Sequence, residues 1–390
     1  MTDTESPLAP LSPAWHATAR DRLRARAQAA GLDGLLLLRG ANLTYATGLF
    51  LTPNERPMAV WLPVDGDPVL FMPELERENA ETAGIPDLRL YDEFPGTTNP
   101  VLWMLEEIGP RAVGIDTLEA RLLDGALARV PRLDLHDHAM DERYLKTPEE
   151  LALTRAAASF ADAFLHRLHA AGADIIAQGG TEQDLMADGM THARAALFAA
   201  HGAGFAGTKM GITATVHSGP RAALPHGAVL ERVPQPGETL IAGIGASLGG
   251  YHAESGATFI LGDPSPEQAR IMAAMAACND AGVDAARPGT ACDAVDRAAR
   301  DQLREAGLSD TIRHRIGHGM GLEGHEAPWL APGDTTPLAA GMVFSNEPGV
   351  YRPEIDGYRT INTMIVTDGA AEVPSRFQAL VPPADRIIAL

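Results

Sequence analysis

Two histidines in a glycine-rich stretch are the residues of this chain best suited to chemistry. The stretch runs from Ile316 to Pro328 and reads I-G-H-G-M-G-L-E-G-H-E-A-P, with His318 and His325 seven residues apart. Glycine permits tight turns and close backbone approach but costs entropy on folding, so a segment packed for stability alone would contain less of it. The stretch therefore indicates the wall of a site that carries imidazoles. The alternative is a glycine-rich turn with two surface histidines.

Four further candidates lie in short motifs on either side of this stretch. His226 closes H-S-G-P-R-A-A-L-P-H-G, Glu254 lies in G-Y-H-A-E-S-G-A-T, Glu347 in S-N-E-P-G, and Arg359 in G-Y-R-T-I-N. The Pro-Gly pair after Glu347 favours a turn that would fix the direction of this carboxylate. An imidazole titrates close to neutral pH, which makes His226 a candidate general base. A histidine in a surface loop is the alternative for that residue.

These motifs, in this order, resemble those of the pita-bread hydrolases, the family of methionine aminopeptidase, prolidase, aminopeptidase P and creatinase. The resemblance places His318 and Glu347 where the family has metal ligands, and Glu254 where it has the second metal-binding Asp. It places His226 and His325 where the family has histidines that face the substrate. Arg359 keeps the Arg of a segment that reads G-V-R-I-E-D in the peptidases.

The chain departs from the family pattern at the metal ligands. Gly243 stands where the first metal-binding Asp would be, and Ile361 where the Glu that bridges both ions would be. Glu254 keeps a carboxylate but extends it by one methylene, and Ala257 replaces an Arg of the peptidase motif. The glycines around Gly243 do not form a dinucleotide-binding loop, because a β-type run and not a helix follows them.

We expect these departures to remove the two-metal centre with which such hydrolases acidify a bridging water. Glu254, His318 and Glu347 remain as a vestigial mononuclear site, since three protein ligands with an open position can make a catalytic metal site. We expect no cofactor, or at most one weakly held divalent ion of manganese, zinc or cobalt. The apolar side chain of Ile361 raises the cost of an unpaired charge beside it.

Three functions follow from the resemblance. The first is a metal-independent, creatinase-like hydrolase of a small C–N compound, with His226 as acid and base. The second is a prolidase-like Xaa-Pro peptidase with a depleted mononuclear site, and the third is a non-catalytic protein that binds a peptide or metabolite. The residues expected to act in catalysis are His226, His318 and Glu347. Those expected to bind the substrate are His325, Arg359 and Glu254.

The elements that position these residues indicate an α+β fold. We predict an α/β domain of the creatinase and prolidase N-terminal type over residues 1–141, with a flexible tail at 1–13. A pita-bread domain follows over residues 142–390. The boundary rests on Thr147-Pro148-Glu149-Glu150, which combines an N-cap, a first-turn Pro and acidic residues suited to the helix dipole. Long helices then alternate with five β-type runs. The predicted runs are Gly211–His217, Thr239–Ala246, His252–Leu261, Gly341–Glu347 and Tyr358–Val366.

Composition restricts the partners. The net charge of −20 opposes nucleic-acid binding, and no apolar run approaches the length that spans a bilayer. Cys278 and Cys292 have no framework spacing, so we predict reduced packing residues and a cytoplasmic protein. The expected partner is a small-molecule or dipeptide substrate, without nucleic acid or membrane. The resemblance also implies a homodimer in which Arg56 could cap the site of the other chain.

Overall fold

The structure, a computed structural model, describes residues 8–390, and two compact units account for nearly all of them. Pro10–Arg143 forms one unit and Tyr144–Leu390 belongs to the other. Of the tail predicted at 1–13, residues 1–7 lie outside the described residues. Its last residue, Pro13, is already helical, because the Ser12 side chain accepts a hydrogen bond from the backbone N–H of Trp15 and caps the helix.

The Pro10–Arg143 unit is a mixed sheet with short helices. The helices are α1 (Pro13–Ala29), α2 (Gly40–Thr47), α3 (Arg77–Glu81), α4 (Pro100–Ile108), α5 (Leu123–Leu127) and α6 (His138–Arg143). The strands are β1 (Gly34–Leu37), β2 (Ala59–Pro63), β3 (Val69–Pro73), β4 (Asp87–Tyr91), β5 (Ala112–Ile115) and β6 (Arg132–Asp134). Their order in the sheet is β4-β3-β2-β1-β5-β6, with β1 parallel to β5 and antiparallel to β2. Strands that alternate with helices make this an α/β unit, as predicted.

Long capped helices form one layer of the Tyr144–Leu390 unit. They are α7 (Pro148–Ala177), α8 (Glu182–His201), α9 (Pro266–Ala285), α10 (Cys292–Glu305) and the short α11 (Phe377–Leu380). The predicted N-cap is confirmed, because Thr147 and Glu150 form a capping box at the start of α7. The helix ends at Ala177. It packs against two central strands, β8 (Thr239–Leu248) and β9 (Tyr251–Leu261).

The sheet of this unit carries the candidate residues. Besides β8 and β9 its strands are β7 (Gly211–Ser218), β10 (Gly317–Gly319), β11 (Glu326–Leu330), β12 (Val343–Asn346), β15 (Ile361–Ile365) and β16 (Ile387–Ile388). The order is β11-β10-β12-β15-β9-β8-β7, with β16 parallel to β9 and the other pairings antiparallel. A separate hairpin joins β13 (Gly349–Arg352) and β14 (Asp356–Arg359). The run predicted as one strand over Tyr358–Val366 is thus two strands in two sheets.

No helix within residues 8–390 combines the length and apolarity needed to cross a membrane.

Candidate functional site

One row of side chains across the large sheet builds the site. His318 on β10 is opposite Trp329 on β11 and Ser345 on β12. Ser345 is opposite Thr363 on β15, whose hydroxyl hydrogen-bonds both the backbone N–H and the carbonyl of Glu254 on β9. Side chains directly opposite each other in an antiparallel sheet lie on the same face. The register therefore brings Glu254 and His318 together, although they are far apart in the sequence.

His318 lies between two carboxylates. Its Nε2 is 3.4 Å from Glu347 Oε1 and 3.7 Å from Glu254 Oε2, and its side chain is fully buried. Among residues 8–390 this nitrogen makes no hydrogen bond of good geometry. Burial alone would lower the pKa of His318, but the two carboxylates outweigh it and raise that pKa. Nε2 is therefore a buried polar atom that points at two acidic groups.

The pKa values of the two carboxylates are shifted in opposite directions. Burial and the neighbouring charge of Glu347 raise the pKa of Glu254, although His318 opposes the shift. Burial also favours the neutral form of Glu347, but the imidazole of His318 outweighs it and, with the charges of His314 and Arg359, holds that pKa well below its usual value. Of the two carboxylates, Glu347 is thus the one whose anionic form is favoured, and Glu254 the one whose protonated form is favoured.

A second row, two residues along the strands, shows how the missing ligand positions are filled. Gly243 on β8 is opposite Gly256 on β9, and Ile361 on β15 is opposite Gly256. A Cβ placed on Gly243 would lie 2.8 Å from Nη2 of Arg359 and 3.4 Å from Cδ1 of Ile361. The guanidinium and the isoleucine methyl group therefore occupy the space into which a carboxylate at position 243 would extend.

Arg359 is itself buried, with 6% of its surface exposed. Its backbone N–H donates to the hydroxyl of Thr258 at 2.8 Å, and Nη1 donates to the carbonyl of Pro225 at 3.3 Å. Its Nε makes no hydrogen bond among the described residues. The contact with Pro225 connects the guanidinium to the loop that carries His226. Arg359 was predicted to bind the substrate, and the structure places its guanidinium beside Gly243.

The remaining predicted histidines lie on the open side of this centre. The rings of His325 and His318 are 3.8 Å apart between centroids, and burial together with His318 lowers the pKa of His325. His226 is exposed and close enough for its charge to lower that pKa further. The structure therefore groups His226, His325 and His318 from the open side inward.

A buried ion pair anchors the loop between β10 and β11. Lys146 Nζ donates to Glu326 Oε1 at 2.8 Å, and the two side chains are 2% and 0% exposed. Glu326 is the residue after His325, so this pair fixes the end of the loop that carries that histidine. At the other side of the loop, the carbonyl of Gly321 bonds with both the backbone N–H and Nδ1 of His252. The site thus rests on a rigid support.

Several residues of the site were not predicted from the sequence. Ser345, Thr363 and Trp329 enter it only through strand register, for which their local sequence carries no signal. His314 was not predicted as a site residue, yet its Nε2 lies 2.9 Å from the hydroxyl of Tyr351 and its charge acts on Glu347. The sequence feature that could have identified His314 as a site residue is its position in the same segment as His318.

Comparison with known proteins assigns the family. The sequence matches metallopeptidase family M24 over residues 152–368 and the creatinase/prolidase N-terminal domain over residues 20–137. The chain belongs to metallopeptidase family M24. The match to both families confirms the predicted fold, a creatinase-type N-terminal part followed by a pita-bread part.

The relatives of this M24 member include named dipeptidases. A probable dipeptidase PepE from Mycobacterium bovis is 33% identical over 353 residues, covering 88% of this chain and 90% of that protein. An Xaa-Pro dipeptidase from Lactobacillus delbrueckii subsp. lactis is 28% identical and covers 89% of this chain and 94% of that protein. The crystal structure of dipeptidase PepE from Mycobacterium ulcerans has a TM-score of 0.83 at 29% identity, covering 98% of this chain and all of that one.

A solved structure that is not named as a dipeptidase also has a similar fold. The N-terminal domain of FACT complex subunit SPT16 from chickpea has a TM-score of 0.74 at 14% identity, and it covers 94% of this M24 chain and 97% of that chain. At 14% identity, this similarity is evidence for a shared fold and for nothing more specific. The fold by itself therefore does not decide between catalysis and binding.

The residues present do not fit a pair of metal ions. The first ligand position is a glycine, Arg359 fills the space beside it, and Ile361 offers no donor. One ion fits better, because Glu254, His318 and His325 each offer a ligand atom, all within 4.8 Å of one another. Ligand atoms around a tetrahedral zinc ion lie about 3.4 Å apart, so small side-chain rotations would suffice. Glu347 also contacts His318, although it is not among those three donors.

Proposed function

We propose that this chain hydrolyses a C–N bond in a small substrate of dipeptide size, and that it does so without a two-metal centre. The observation that carries the proposal is the position of Arg359, whose Nη2 lies 2.8 Å from where a Cβ of residue 243 would be. A metal-binding carboxylate and this guanidinium cannot occupy the same space. The names of the relatives, a probable dipeptidase and an Xaa-Pro dipeptidase, support the substrate size.

In this centre the guanidinium of Arg359 supplies part of the positive charge that metal ions supply in the family pattern. Its charge acts on both Glu254 and Glu347. A permanent cation therefore stands beside the two carboxylates, where the family pattern expects ions. The carboxylates are partly neutralised in this way, and they remain available to bind a cationic group of the substrate directly.

The proton transfer is assigned to His226. The exposed imidazole takes a proton from the attacking water as its oxygen bonds to the substrate carbon, and it returns that proton to the nitrogen as the C–N bond breaks. His325, kept neutral by its lowered pKa, orients the substrate from the same side. His318 and Glu347 hold the buried end of the pocket in a fixed arrangement.

A second candidate is a peptidase with one metal ion. It is favoured by the convergence of Glu254, His318 and His325, and by the buried Nε2 of His318 that makes no good hydrogen bond among the described residues. These residues, with Glu347, would hold a manganese, zinc or cobalt ion. When bound, such an ion supplies Lewis-acid polarisation of a carbonyl and lowers the pKa of a bound water.

Metal analysis combined with turnover separates the candidates. Full-length protein without an affinity tag is treated with EDTA, analysed for metals by mass spectrometry, and assayed with Xaa-Pro and other dipeptides, small amides and amidines. We expect turnover to survive chelation and to be lost in His226→Ala but kept in the exposed-histidine control His192→Ala. Two tightly bound ions that turnover requires would refute the proposal. Activity restored by one equivalent of metal would select the second candidate.

A gain-of-ligand variant tests the role of the substituted positions. The double variant Gly243→Asp plus Ile361→Glu restores the family's ligand types but places the new Asp against Arg359. We therefore expect it to bind no second ion, and a third change, Arg359→Ala, to be needed before a second ion binds. If no substrate is turned over and His226→Ala leaves ligand binding unchanged, the chain is a binding protein.

We also propose a cytoplasmic homodimer. The capping role predicted for Arg56 needs a free guanidinium, whereas this side chain pairs with Glu93 at 2.8 Å and also contacts Glu55. Sedimentation equilibrium tests the dimer, and a monomer at assay concentration would refute it. Arg56→Ala then tests the cap. If Arg56 closes over the substrate site of the other chain, KM should be higher in this variant than in the parent.

A further inference from the structure

A second cluster of metal-ligand side chains lies in the Pro10–Arg143 unit, and the proposed reaction does not use it. It follows β6 in the segment D-L-H-D-H-A-M-D and extends into α6. His136, His138 and Asp141 each offer one ligand atom there, and these atoms lie within 4.8 Å of one another. Three ligands thus fall within eight residues, so the local backbone alone determines their arrangement.

Each imidazole of the cluster already has a carboxylate beside it. His136 Nε2 is 2.7 Å from Asp141 Oδ2, and His138 Nε2 is 3.1 Å from Asp134 Oδ2. The two rings pack edge to face with centroids 4.7 Å apart. A metal-binding histidine usually has a carboxylate on its other ring nitrogen, which fixes the ring and raises its basicity. Asp134 stands in that relation to His138.

The turn that carries the cluster is held in place by Asp137. Its Oδ1 accepts hydrogen bonds from the backbone N–H of Met140 at 2.8 Å and from the side-chain amide of Asn42 at 2.9 Å. The backbone N–H of His138 donates to the carbonyl of His136 at 3.0 Å. The backbone between the two histidines is therefore fixed before any ion arrives, which reduces the entropy lost on binding.

The charge around the cluster favours a cation. Three carboxylates, those of Asp134, Asp137 and Asp141, lie within eight residues of chain. Arg39 Nε offsets one of them, at 3.6 Å from Asp137 Oδ2. The hydrogen bonds to the other two carboxylate groups come from the imidazoles of the cluster. A divalent ion would meet a net negative environment with two neutral nitrogen ligands.

We propose that His136, His138 and Asp141, supported by Asp134, bind one zinc-class divalent ion at the junction of β6 and α6. Two imidazoles and one carboxylate form a mixed nitrogen and oxygen donor set of the kind that binds zinc, and copper(II) and nickel(II) ions bind related donor sets. The side chain of His136 is 53% exposed, so water can reach the ion and fill the remaining position. The bound ion ties the end of β6 to α6.

Zinc binding by the full-length chain tests this site. Tag-free protein is freed of metal with EDTA and dialysed against graded ZnCl₂, and bound zinc is counted by mass spectrometry. The variant His136→Ala plus His138→Ala removes both imidazoles, and His192→Ala removes one exposed histidine of α8 as a control. A third protein, Glu254→Gln plus His318→Gln, removes two ligands of the candidate site in the other unit. Zinc bound at that site is thereby counted separately from zinc bound at His136 and His138.

We expect the double-histidine variant to bind one equivalent of zinc less than the parent. His192→Ala and the variant Glu254→Gln plus His318→Gln should both keep that equivalent. Asp134→Asn should keep the site but weaken it by about tenfold, because Asp134 only orients a ligand. Zinc should also raise the melting temperature of the parent more than that of the double-histidine variant. The proposal is overturned if that variant, shown to be folded by circular dichroism, binds as much zinc as the parent with the same Kd. If it is unfolded, Asp141→Asn takes its place under the same criterion.

Discussion

The ion pair between Lys146 and Glu326 should be among the most sensitive positions of the Tyr144–Leu390 unit. The side chains are 2% and 0% exposed, and Nζ donates to Oε1 at 2.8 Å. In Lys146→Met, a carboxylate with no solvent access faces a methyl group in place of an ammonium. Breaking a buried pair from one side typically costs about 3–5 kcal/mol, since the remaining charge is left uncompensated. We expect a loss of that size in the free energy of unfolding.

The chain contains only one other lysine, which provides a matched control. Lys209 is exposed and belongs to the same unit, so Lys209→Met should change the stability by less than about 0.5 kcal/mol. Glu326→Gln combined with Lys146→Met removes both charges. That double variant should recover about 1–3 kcal/mol relative to the sum of the single variants. Calorimetry of the full chain gives these values, taken from the transition of this unit.

A small cost would refute this reasoning. If Lys146→Met loses less than about 1 kcal/mol, the carboxylate is either protonated or solvated, and the pair does not support the site. If instead the loss is large but the double variant recovers nothing, the effect comes from packing of the lysine stem and not from its charge. Because Glu326 follows His325, loss of the charge pair should also raise KM for any substrate that His325 orients.

Three further results are expected. Gly243→Ala should cost less than about 1 kcal/mol in thermal unfolding, because its Cβ would lie 2.8 Å from Nη2 at the flexible end of Arg359, which can shift, whereas Gly211→Ala on β7 meets nothing within 4 Å and should be neutral. Burial raises the pKa of Asp116 to about 6, so it adds stability that is full below about pH 4 and lost as the pH rises through 6. Asp116→Asn should then cost about 1 kcal/mol more at pH 5 than at pH 7 in urea unfolding. Cys278 and Cys292 are buried with thiol pKa values raised to about 12, so a disulfide reagent should label them only after unfolding.

The helices and long strands of the Tyr144–Leu390 unit were predictable because their signals are local. The capping box at Thr147 and the apolar runs of β8 and β9 mark elements by their own composition. The short strand β10 was not predicted, because two of its three residues are glycines, which have no side chain whose alternation could reveal a strand. Strand β11 was not predicted either, because Pro328 at its centre cannot donate a ladder hydrogen bond and so argues against a strand. The break at Thr360 between β14 and β15 was missed for a related reason. Both strands are fully buried, so no change in polarity marks the change of sheet.

The membership of the candidate site could be predicted better than its arrangement. The motifs identified His318, Glu254 and Glu347, and the structure brings these three together. Sequence could also show that Gly243 has no ligand atom. It could not show what fills the space beside Gly243, because the direction of the Arg359 side chain depends on rotamers and on the hydrogen bond to Pro225. The contact between Arg359 and the missing ligand position needed three-dimensional coordinates.

The presence of a guanidinium at this position limits the chemistry of the centre. A guanidinium keeps its charge at every physiological pH and offers only donors, so it can neutralise Glu254 and Glu347 and hold a developing negative charge. It cannot acidify a bound water as a metal ion does, because it has no vacant coordination site. In the proposed reaction, water is then activated by a base on the open side, where the imidazoles of His226 and His325 lie. If Arg359 replaces an ion in charge alone, the proposed reaction depends on an imidazole for its proton transfer, so His226→Ala should lose turnover at every pH assayed.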